Sequence, residues 1–577
     1  MKKSLAALLS TTVILSLCAC GSNGSGASAA ASKSGSSAAS ASVSSQAAAA
    51  SSAASASAVS PAGTAEAVTD TSVTADETTA AFSLASEDGT FSETNGVYTI
   101  TSAGTFVLTG RLDGQIVVDA GDASEVILEL KETTISYDQD SPIKILSADK
   151  VEISAKSGTD NVINDNRPEK TADDETQGEG AIFAKADLKM KGTGTLVVNA
   201  GYSNGIYTTK DLKIQKLSLK STAVNCALRG DDSITMESGT VVAISSKGDG
   251  LKTDSTEVNK NGQTRGDLEI LGGALTVYAA GDGFQAAHNF TMATGEEGTA
   301  PAVTIFTGSY SGYTAADADT ASYKGIKTQN ELNISSGSLT ISSYDDGLHA
   351  DYGEDFDDGT SGTGTINISG GTVTMGVYAS DTATAGGRMG PESFGSQKTA
   401  VGADAIHSDN ILNISGGTIH IDSAHEGLEA NVINISGGET IVLANDDCVN
   451  ATKGSATPLI NITGGYLETS VPANGDVDGI DSNGLYTQSG GVVIARGPSG
   501  EMAAAIDADG SVTVSGGTLI ILGGGKVTAG EGVSSYNNMK LHEAGEHTVS
   551  IGGTSYTFTN AEGYAATACY SDTAVEG

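Results

Sequence analysis

The chain has 577 residues and a formal net charge of −40, from 70 acidic and 30 basic side chains. Such a surface repels nucleic acid and anionic bilayers, so neither is expected as an electrostatic partner. Glycine contributes 75 residues, tryptophan none and charged residues only 17 %, which excludes a coiled coil and is typical of short β-strands with tight turns, repeated many times.

The N-terminus has the features of an export signal. Two lysines precede an apolar run, residues 5–17, that is too short to span a bilayer comfortably. The run ends in Leu-Cys-Ala-Cys-Gly, which resembles a bacterial lipobox, so we predict a lipoprotein signal over residues 1–20 with Cys20 acylated. The alternative is a plain secretory signal cut near Ala19. The predicted location is the extracellular face of the bacterial cell membrane, or the medium if no lipid is attached.

Residues 21–78 are almost wholly Ala, Ser, Gly and Thr. Such a segment cannot bury enough apolar surface to offset the entropy lost on ordering. We therefore predict a disordered tether that lifts the folded part away from the membrane. Residues 79–577 remain for a single folded domain.

Two short sequence words recur beyond residue 180 and predict the fold. One is an alternating strand word that ends in glycine, as in LNISGG at 412–417. The other is an acid, a small residue and an aliphatic residue, and its acids Asp404, Glu426 and Asp447 recur with a period of about 22 residues. A unit of that size holds about three short strands and can bury a core only by stacking. We predict an all-β, right-handed parallel β-helix with about 22 residues per coil; a β-propeller would need a period of about 40.

In such a stack, equivalent residues of successive coils are about 4.8 Å apart. The acids of the second word should then form a column, with further acids beside it. Two carboxylates at that spacing repel by about 3 to 4 kcal/mol at an effective dielectric constant of about 20, so the column should attract a cation. Oxygen ligands on rigid turns suit Ca²⁺; the alternative is a solvated acidic edge. The predicted ligands are Asp345, Asp346, Asp351, Asp404, Asp409, Glu426, Asp446, Asp447 and Asp478.

The position directly after each aliphatic residue changes from basic to acidic along the predicted axis. A basic strip there would suit an anionic sugar chain, with calcium bridging acid to acid; alternatively this turn position simply faces water. Because tryptophan is absent, polar and charged contacts should outweigh aromatic stacking. The candidate carbohydrate-binding residues are Lys252, Lys327, His349, His407 and Glu429.

The ordered series of words resembles the bacterial carbohydrate-binding-domain family typified by a clostridial cellulose- and pectin-binding surface protein. The resemblance covers nearly all of the chain beyond the tether. It implies a parallel β-helix like that of polysaccharide lyases, bound calcium, and binding of an acidic plant polysaccharide such as polygalacturonate. The segments that carry it are GTFVLTG at 104–110, KGIK at 324–327, DDGLHAD at 345–351, DAIHS at 404–408, EGLE at 426–429 and DDCVNA at 446–451, interleaved with ISGG.

We therefore predict non-catalytic, calcium-dependent binding of extracellular polysaccharide by a monomeric cell-surface lipoprotein, with no catalytic residue assigned. The first alternative is a polysaccharide lyase acting on uronate polymers. Its base would come from Lys252, Lys327, Arg229 or Arg388, none of which forms a convincing constellation with acids. Fold likeness does not transfer activity. The second alternative is a structural adhesin stalk that binds another protein.

Overall fold

The computed structural model describes residues 70–174, 176–308, 322–377, 402–500 and 503–577. The predicted signal peptide with Cys20, the tether up to residue 69, and Arg388 lie outside these ranges. In the described part of the chain all regular elements are β-strands, as the composition predicts. No helix among the described residues is long and apolar enough to cross a membrane.

The strands are short and follow one another closely along the chain. The first group is β1 (Ser83–Ala85), β2 (Phe91–Thr94), β3 (Val97–Ile100), β4 (Gly104–Asp113), β5 (Gln115–Asp119), β6 (Glu125–Tyr137), β7 (Ile143–Ser147), β8 (Lys150–Ala155), β9 (Asp160–Asp165), β10 (Gly180–Ala184), β11 (Asp187–Gly192) and β12 (Thr195–Ala200). The second group is β13 (Asn204–Thr208), β14 (Asp211–Gln215), β15 (Leu217–Ala223), β16 (Leu228–Gly230), β17 (Ser233–Met236), β18 (Gly239–Ser245), β19 (Leu251–Lys252), β20 (Asp267–Ile270), β21 (Ala274–Ala279), β22 (Phe284–Ala286), β23 (Phe290–Met292) and β24 (Ala302–Thr307).

The later strands include the longest ones of the chain. The third group is β25 (Ile326–Thr328), β26 (Glu331–Ile334), β27 (Ser338–Ser343), β28 (Leu348–Ala350), β29 (Tyr352–Asp355), β30 (Ser361–Thr363), β31 (Thr365–Val377), β32 (Ile406–Ser423), β33 (Leu428–Ile435), β34 (Glu439–Leu443), β35 (Val449–Ala451) and β36 (Leu459–Ile462). The last group is β37 (Tyr466–Ser470), β38 (Asp481–Ser482), β39 (Leu485–Arg496), β40 (Ser511–Leu522), β41 (Val527–Ala529), β42 (Ser534–Tyr536), β43 (Gly545–Ile551), β44 (Thr554–Asn560), β45 (Thr567–Ser571) and β46 (Val575–Glu576).

The strands pair in parallel from one coil to the next. Ile206 lies beside Leu228, which lies beside Leu251, so the chain returns to the same position after each period of the sequence words. Strands β14 and β15 pair in the same way with β17 and β18, so three series of strands run side by side. This pairing agrees with the predicted stack of coils, while the handedness of the winding stays a prediction.

Some coils are longer because loops leave the stack. Leu348 pairs directly with Ile406, although the two lie far apart in the chain. In the described part of this interval, the hairpin of β29 and β30 is an excursion from the coil, and residues 378–401 lie outside the described ranges. The pairing matters for function because it places His349 and His407, one residue further on, in neighbouring coils.

The aliphatic residue of the acid–small–aliphatic word forms the core. Phe284, Ile326, Leu348, Ile406 and Leu428 occupy the same position in successive coils and have no exposed surface. Residues on either side of each alternate between inside and outside, because strand side chains have a period of two. The hydrophobic effect of this column therefore holds the polar residues next to it in register.

The strand word ending in two glycines stacks through its asparagine. Asn413 donates from Nδ2 to Oδ1 of Asn367 at 2.9 Å and accepts from Asn434 at 3.0 Å. Both ends of this amide are thereby satisfied along the stack. The column continues to Asn333, which accepts from Asn367, and to Asn461, which donates to Asn434. The second glycine, as in Gly417 with φ of +87°, adopts a left-handed conformation that other residues rarely take.

Replacing an inner member of this amide column should weaken the stack. The change Asn413→Ala removes two hydrogen bonds, and we expect the free energy of unfolding to fall by about 1–2 kcal/mol. Asn333 makes one bond within the column, so Asn333→Ala is the matched control with the smaller expected loss. Chemical denaturation of both variants measures the difference. Equal losses would show that the column adds nothing beyond the local bonds of each residue.

The two ends of the stack differ from its middle. At the start, β1 pairs antiparallel with β4, and β2 with β3. At the end, β45 runs antiparallel to β40, and β43, β44 and β46 form a separate antiparallel sheet. Val73, in the range predicted as tether, is buried against Val242 and Ile244. These terminal elements cover coil edges that would otherwise be open for pairing.

Candidate functional site

Two columns of polar residues flank the core aliphatic column. The predicted ligands Asp346, Asp404, Glu426, Asp447 and Asp478 each lie two residues before a core residue, in successive coils. The other column follows the core residue directly, and the structure brings all five candidate carbohydrate-binding residues into it. Its members in order are Lys252, Gln285, Lys327, His349, His407, Glu429, Asn450 and Asp481.

The acid column also has a structural role that sequence reasoning missed. Asp346 Oδ1 accepts the backbone N–H of Asp404 at 2.9 Å, and Asp447 Oδ1 accepts that of Asp478 at 2.7 Å. Asn204 makes the same bond to Cys226 at 3.1 Å, with an amide in place of the acid. Each side chain thus caps the next coil. The sequence signal for this structural role was that an acid or an amide recurs two residues before the core aliphatic residue, since both can accept a hydrogen bond.

Lys324 occupies the acid column between two aspartates. Its backbone N–H is bound by Asp282 Oδ1 at 2.7 Å, as an acid in that place would be. Its Nζ lies 2.9 Å from both Asp345 Oδ2 and Asp346 Oδ2. Burial raises the pKa of Asp346, but the charge of Lys324 and a hydrogen bond from His349 outweigh it, so the net pKa is strongly lowered. A lysine inside the column therefore neutralises two predicted calcium ligands.

His349 neutralises further acids in the same coil. Its Nδ1 lies 2.7 Å from Asp346 Oδ2 and its Nε2 lies 2.9 Å from Asp351 Oδ1. Burial lowers the pKa of His349, but these two hydrogen bonds raise it more. Lys327 adds a second cation to Asp351, at 3.1 Å. The predicted carbohydrate-binding residues Lys327 and His349 are thus held by carboxylates.

His407 has the same surroundings one coil further on. Its Nδ1 lies 2.8 Å from Asp404 Oδ2 and 2.9 Å from Glu429 Oε2, and its Nε2 lies 3.1 Å from Asp409 Oδ1. The imidazole is stacked on that of His349, with ring centroids 4.7 Å apart. Burial opposes the charge of His407, but the three carboxylates raise its pKa strongly.

Beyond Asp404 the acid column continues with Glu426, Asp447 and Asp478. Among the described residues no lysine or arginine pairs with Glu426, Asp447 or Asp478. Burial, followed by repulsion from neighbouring carboxylates, raises the pKa of Glu426 to about 10 and of Asp447 to about 8. For Asp478 burial likewise raises the pKa, to about 7. Burial thus raises the pKa of all three carboxyl groups, and among the described residues no lysine or arginine pairs with them to offset this.

An orphaned oxygen lies in the same region. Asn450 is only 8 % exposed, and its Oδ1 has no hydrogen-bond partner. Its Nδ2 donates to Glu426 Oε2 at 3.0 Å. A buried amide oxygen without a partner is costly, unless a ligand satisfies it. In the turn before the strand that contains Asn450, the predicted ligand Asp446 has a histidine neighbour, with His425 Nε2 3.4 Å from Asp446 Oδ2.

A cleft of about 520 Å³ opens beside the end of the second column that contains Lys252 and Lys327, which we call the basic end. It is lined by Lys247, Asp249, Asp282, Gln285 and Lys327, among others. The cleft brings together charges of both signs and an amide, which are the groups that bind sugar hydroxyls and carboxylates. This end of the second column therefore offers charged and amide groups to a ligand, and Tyr323 is also among the lining residues.

Residues 94–382 match a family model described as carbohydrate-binding domain-containing protein. The chain belongs to this carbohydrate-binding domain-containing family. The resemblance inferred from the sequence words is thereby confirmed.

Two known proteins are similar to parts of this carbohydrate-binding domain-containing chain. A carbohydrate-binding domain-containing protein of Acetivibrio thermocellus is 40 % identical over 117 residues, which are 20 % of this chain and 41 % of that protein. The chain thus matches about two fifths of the length of that curated relative. A solved polysaccharide lyase-like protein from C. thermocellum is 30 % identical, with a TM-score of 0.37, over 43 % of this chain and 91 % of that one.

The described candidates for a lyase base in this carbohydrate-binding domain-containing chain are all paired. Arg229 lies 2.8 Å from Asp231 and 3.0 Å from Asp254. Lys252 Nζ lies 3.7 Å from Asp249 Oδ2, and Lys327 is held by a carboxylate as described above. A cation beside carboxylates keeps its proton and is a poor base at neutral pH.

Proposed function

We propose that this protein binds an acidic extracellular polysaccharide without cleaving it. We further propose that calcium bound near Glu426, Asp447 and Asp478 supports this binding. In this proposal the chain winds as a right-handed parallel β-helix and is held at the cell surface by a lipid on Cys20. The observation that carries the proposal is the uncompensated stack of Glu426, Asp447 and Asp478 beside the orphaned oxygen of Asn450.

The donor set fits calcium. Carboxylates of Glu426, Asp447, Asp478 and Asp481 and the amide oxygen of Asn450 are all oxygen ligands, which Ca²⁺ prefers over nitrogen or sulfur. Burial, and then repulsion from Asp507, raises the pKa of Asp481 to about 6, so this group belongs to the same uncompensated stack. Calcium would supply the positive charge that joins these carboxylates to a sugar acid. Asp345, Asp346 and Asp351 are less suited, because lysine and histidine already neutralise them. Asp404 and Asp409 are less suited because both face the imidazole nitrogens of His407, which calcium does not favour as ligands.

The charge distribution favours a uronate polymer such as polygalacturonate. Lys252 and Lys327 lie in the basic end of the second column, and their side chains are 23 % and 25 % exposed. A chain of sugar acids can reach these cations at one end and bound calcium at the other. A neutral polymer would gain neither contact, so charge is expected to decide the specificity.

We expect the double variant Asp447→Asn, Asp478→Asn to bind calcium at least about tenfold more weakly, because it loses two charged ligands. Calorimetric titration of the full chain measures this. In calcium, the unaltered protein should be retarded in gels that contain polygalacturonate and not in gels with its fully methyl-esterified form. Chelator and the double variant should both reduce the retardation.

The control is Asp122→Asn, which removes an exposed acid on a turn far along the chain and should change neither measurement. Unchanged calcium affinity in the double variant would refute the calcium site. Absorbance from unsaturated sugar product in the same samples would establish a lyase instead. An absence of both retardation and product would favour the adhesin stalk.

A further inference from the structure

A short motif with a histidine between two aspartates occurs in two neighbouring coils. Residues 346–351 and 404–409 both read Asp-x-x-His-x-Asp, and β28 and β32 align them residue by residue. In each coil the first aspartate faces Nδ1 of the histidine and the second faces Nε2. The two sites differ in what the adjoining coils add to them.

The second site has more acceptors than hydrogens. His407 Nδ1 lies within 2.9 Å of two carboxylate oxygens, Asp404 Oδ2 and Glu429 Oε2. Asp404 and Glu429 come from neighbouring coils and thus present two carboxylate oxygens to the one imidazole nitrogen. Nδ1 carries at most one hydrogen, so it cannot make a full bond to both oxygens. The two carboxylate oxygens and the imidazole nitrogen surround one position, where a single bound cation would attract all three atoms.

The first site, around His349, has no such excess of carboxylates, because a lysine adds positive charge to it. Asp346 Oδ2, the partner of His349 Nδ1, also receives Lys324 Nζ at 2.9 Å. His349 has His407, and no carboxylate, as its neighbour in the following coil. The charge around His349 is therefore balanced by the protein, whereas Asp404, Asp409 and Glu429 share one imidazole.

We propose that Asp404 Oδ2, His407 Nδ1 and Glu429 Oε2 bind a first-row transition cation of the Zn²⁺ class. These three atoms lie within 4.8 Å of one another, and Asp404 is only 6 % exposed. One imidazole and two carboxylates suit zinc and its neighbours, whereas calcium takes oxygen ligands only. This site shares the coil around Leu428 with the proposed calcium site but uses a different carboxylate of that coil, Glu429 and not Glu426.

The other ring nitrogen of His407 supports the assignment. Its Nε2 lies 3.1 Å from Asp409 Oδ1, and Asp409 Oδ2 is itself held by the backbone N–H of Tyr352 at 2.9 Å. Metal-binding histidines usually donate their second N–H to such a carboxylate, which fixes the ring and its tautomer. The orienting shell for a metal ligand is thus already built.

The test titrates the chelator-treated full chain with Zn²⁺ against a chromophoric chelator, in millimolar calcium. We expect one equivalent to bind, and Co²⁺ at the same site to give the visible absorbance of a nitrogen- and oxygen-coordinated ion. His407→Gln and Glu429→Gln should each weaken zinc binding by about 10- to 100-fold. Circular dichroism checks that both variants are folded.

The matched control is His349→Gln, which changes the same motif one coil earlier and should keep its zinc. The variant Asp447→Asn, Asp478→Asn should also keep its zinc, so the loss of the calcium site and of this site can be told apart. If the unaltered protein binds no Zn²⁺, the contacts of His407 are charge-assisted hydrogen bonds only, and the proposal is wrong. Equal losses in His349→Gln and His407→Gln would likewise overturn the proposed ligand set.

Discussion

Lowering the pH of calcium-free protein from about 8 to about 5 is expected to raise the free energy of unfolding by about 4 kcal/mol for each of two buried carboxyl groups. In the folded protein burial and neighbouring carboxylates raise the pKa of Glu426 to about 10 and of Asp447 to about 8. In the unfolded chain both groups titrate at about pH 4. Between these values the folded state binds more protons than the unfolded state, so stability falls as the pH rises.

Denaturant titrations at a series of pH values, with chelator present, measure this dependence. The double variant Glu426→Gln, Asp447→Asn should lose most of it, because neutral side chains need no proton. Saturating calcium should flatten it as well, since the bound ion stabilises the ionised carboxylates. Asp478 and Asp481 are more open to water, so solvent screening reduces their share. If the chelator-treated protein is less stable at about pH 5 than at about pH 8, the pKa values of these carboxyl groups are not raised in the folded state.

Removing the lysine inside the acid column is expected to be the most damaging single substitution. Lys324→Met keeps about the same side-chain volume but removes the lysine from both Asp345 and Asp346. Asp346, whose side chain is 8 % exposed, is then left with His349 as its charged partner. Breaking a buried ion pair on one side costs about 3–5 kcal/mol, because the remaining charge has lost its partner. The free energy of unfolding from chemical denaturation is the measurement.

The matched control is Lys247→Met, since this lysine also pairs with a carboxylate, Glu169, but its side chain is 60 % exposed. A surface pair contributes about 0–1 kcal/mol, so little change is expected. Adding Asp345→Asn and Asp346→Asn to the Lys324→Met variant should restore much of the stability. The amide oxygen introduced at position 346 can still accept the N–H of Asp404. A failure of this rescue would mean that Lys324 acts through packing and not through charge.

The period of the sequence words predicted the stack well because it reflects a local rule. Core aliphatics such as Leu428 must recur once per coil, so their spacing reports the length of the coil directly. The acids two residues before them are carried into register by the same rule. The terminal antiparallel strands were not predicted, because they cover the ends of the stack and therefore do not repeat.

Which acids lack a cation could not be predicted from spacing. Lys324 belongs to the acid column and His407 follows His349, but long excursions separate Phe284 from Ile326 and Leu348 from Ile406 in the chain. Only the pairing of the coils across these excursions shows which charges meet. The orphaned oxygen of Asn450 and the double contact of His407 Nδ1 depend on the same pairing.

The sequence by itself determined the β-strand content, the coil length and the alignment of acids into columns, because each of these follows from a repeat within about 22 residues. The tertiary structure alone decided which carboxylates are neutralised by lysine or histidine and which remain uncompensated. The physical reason is that charge balance depends on side chains brought within about 3 Å by stacking, across chain separations that carry no periodic signal.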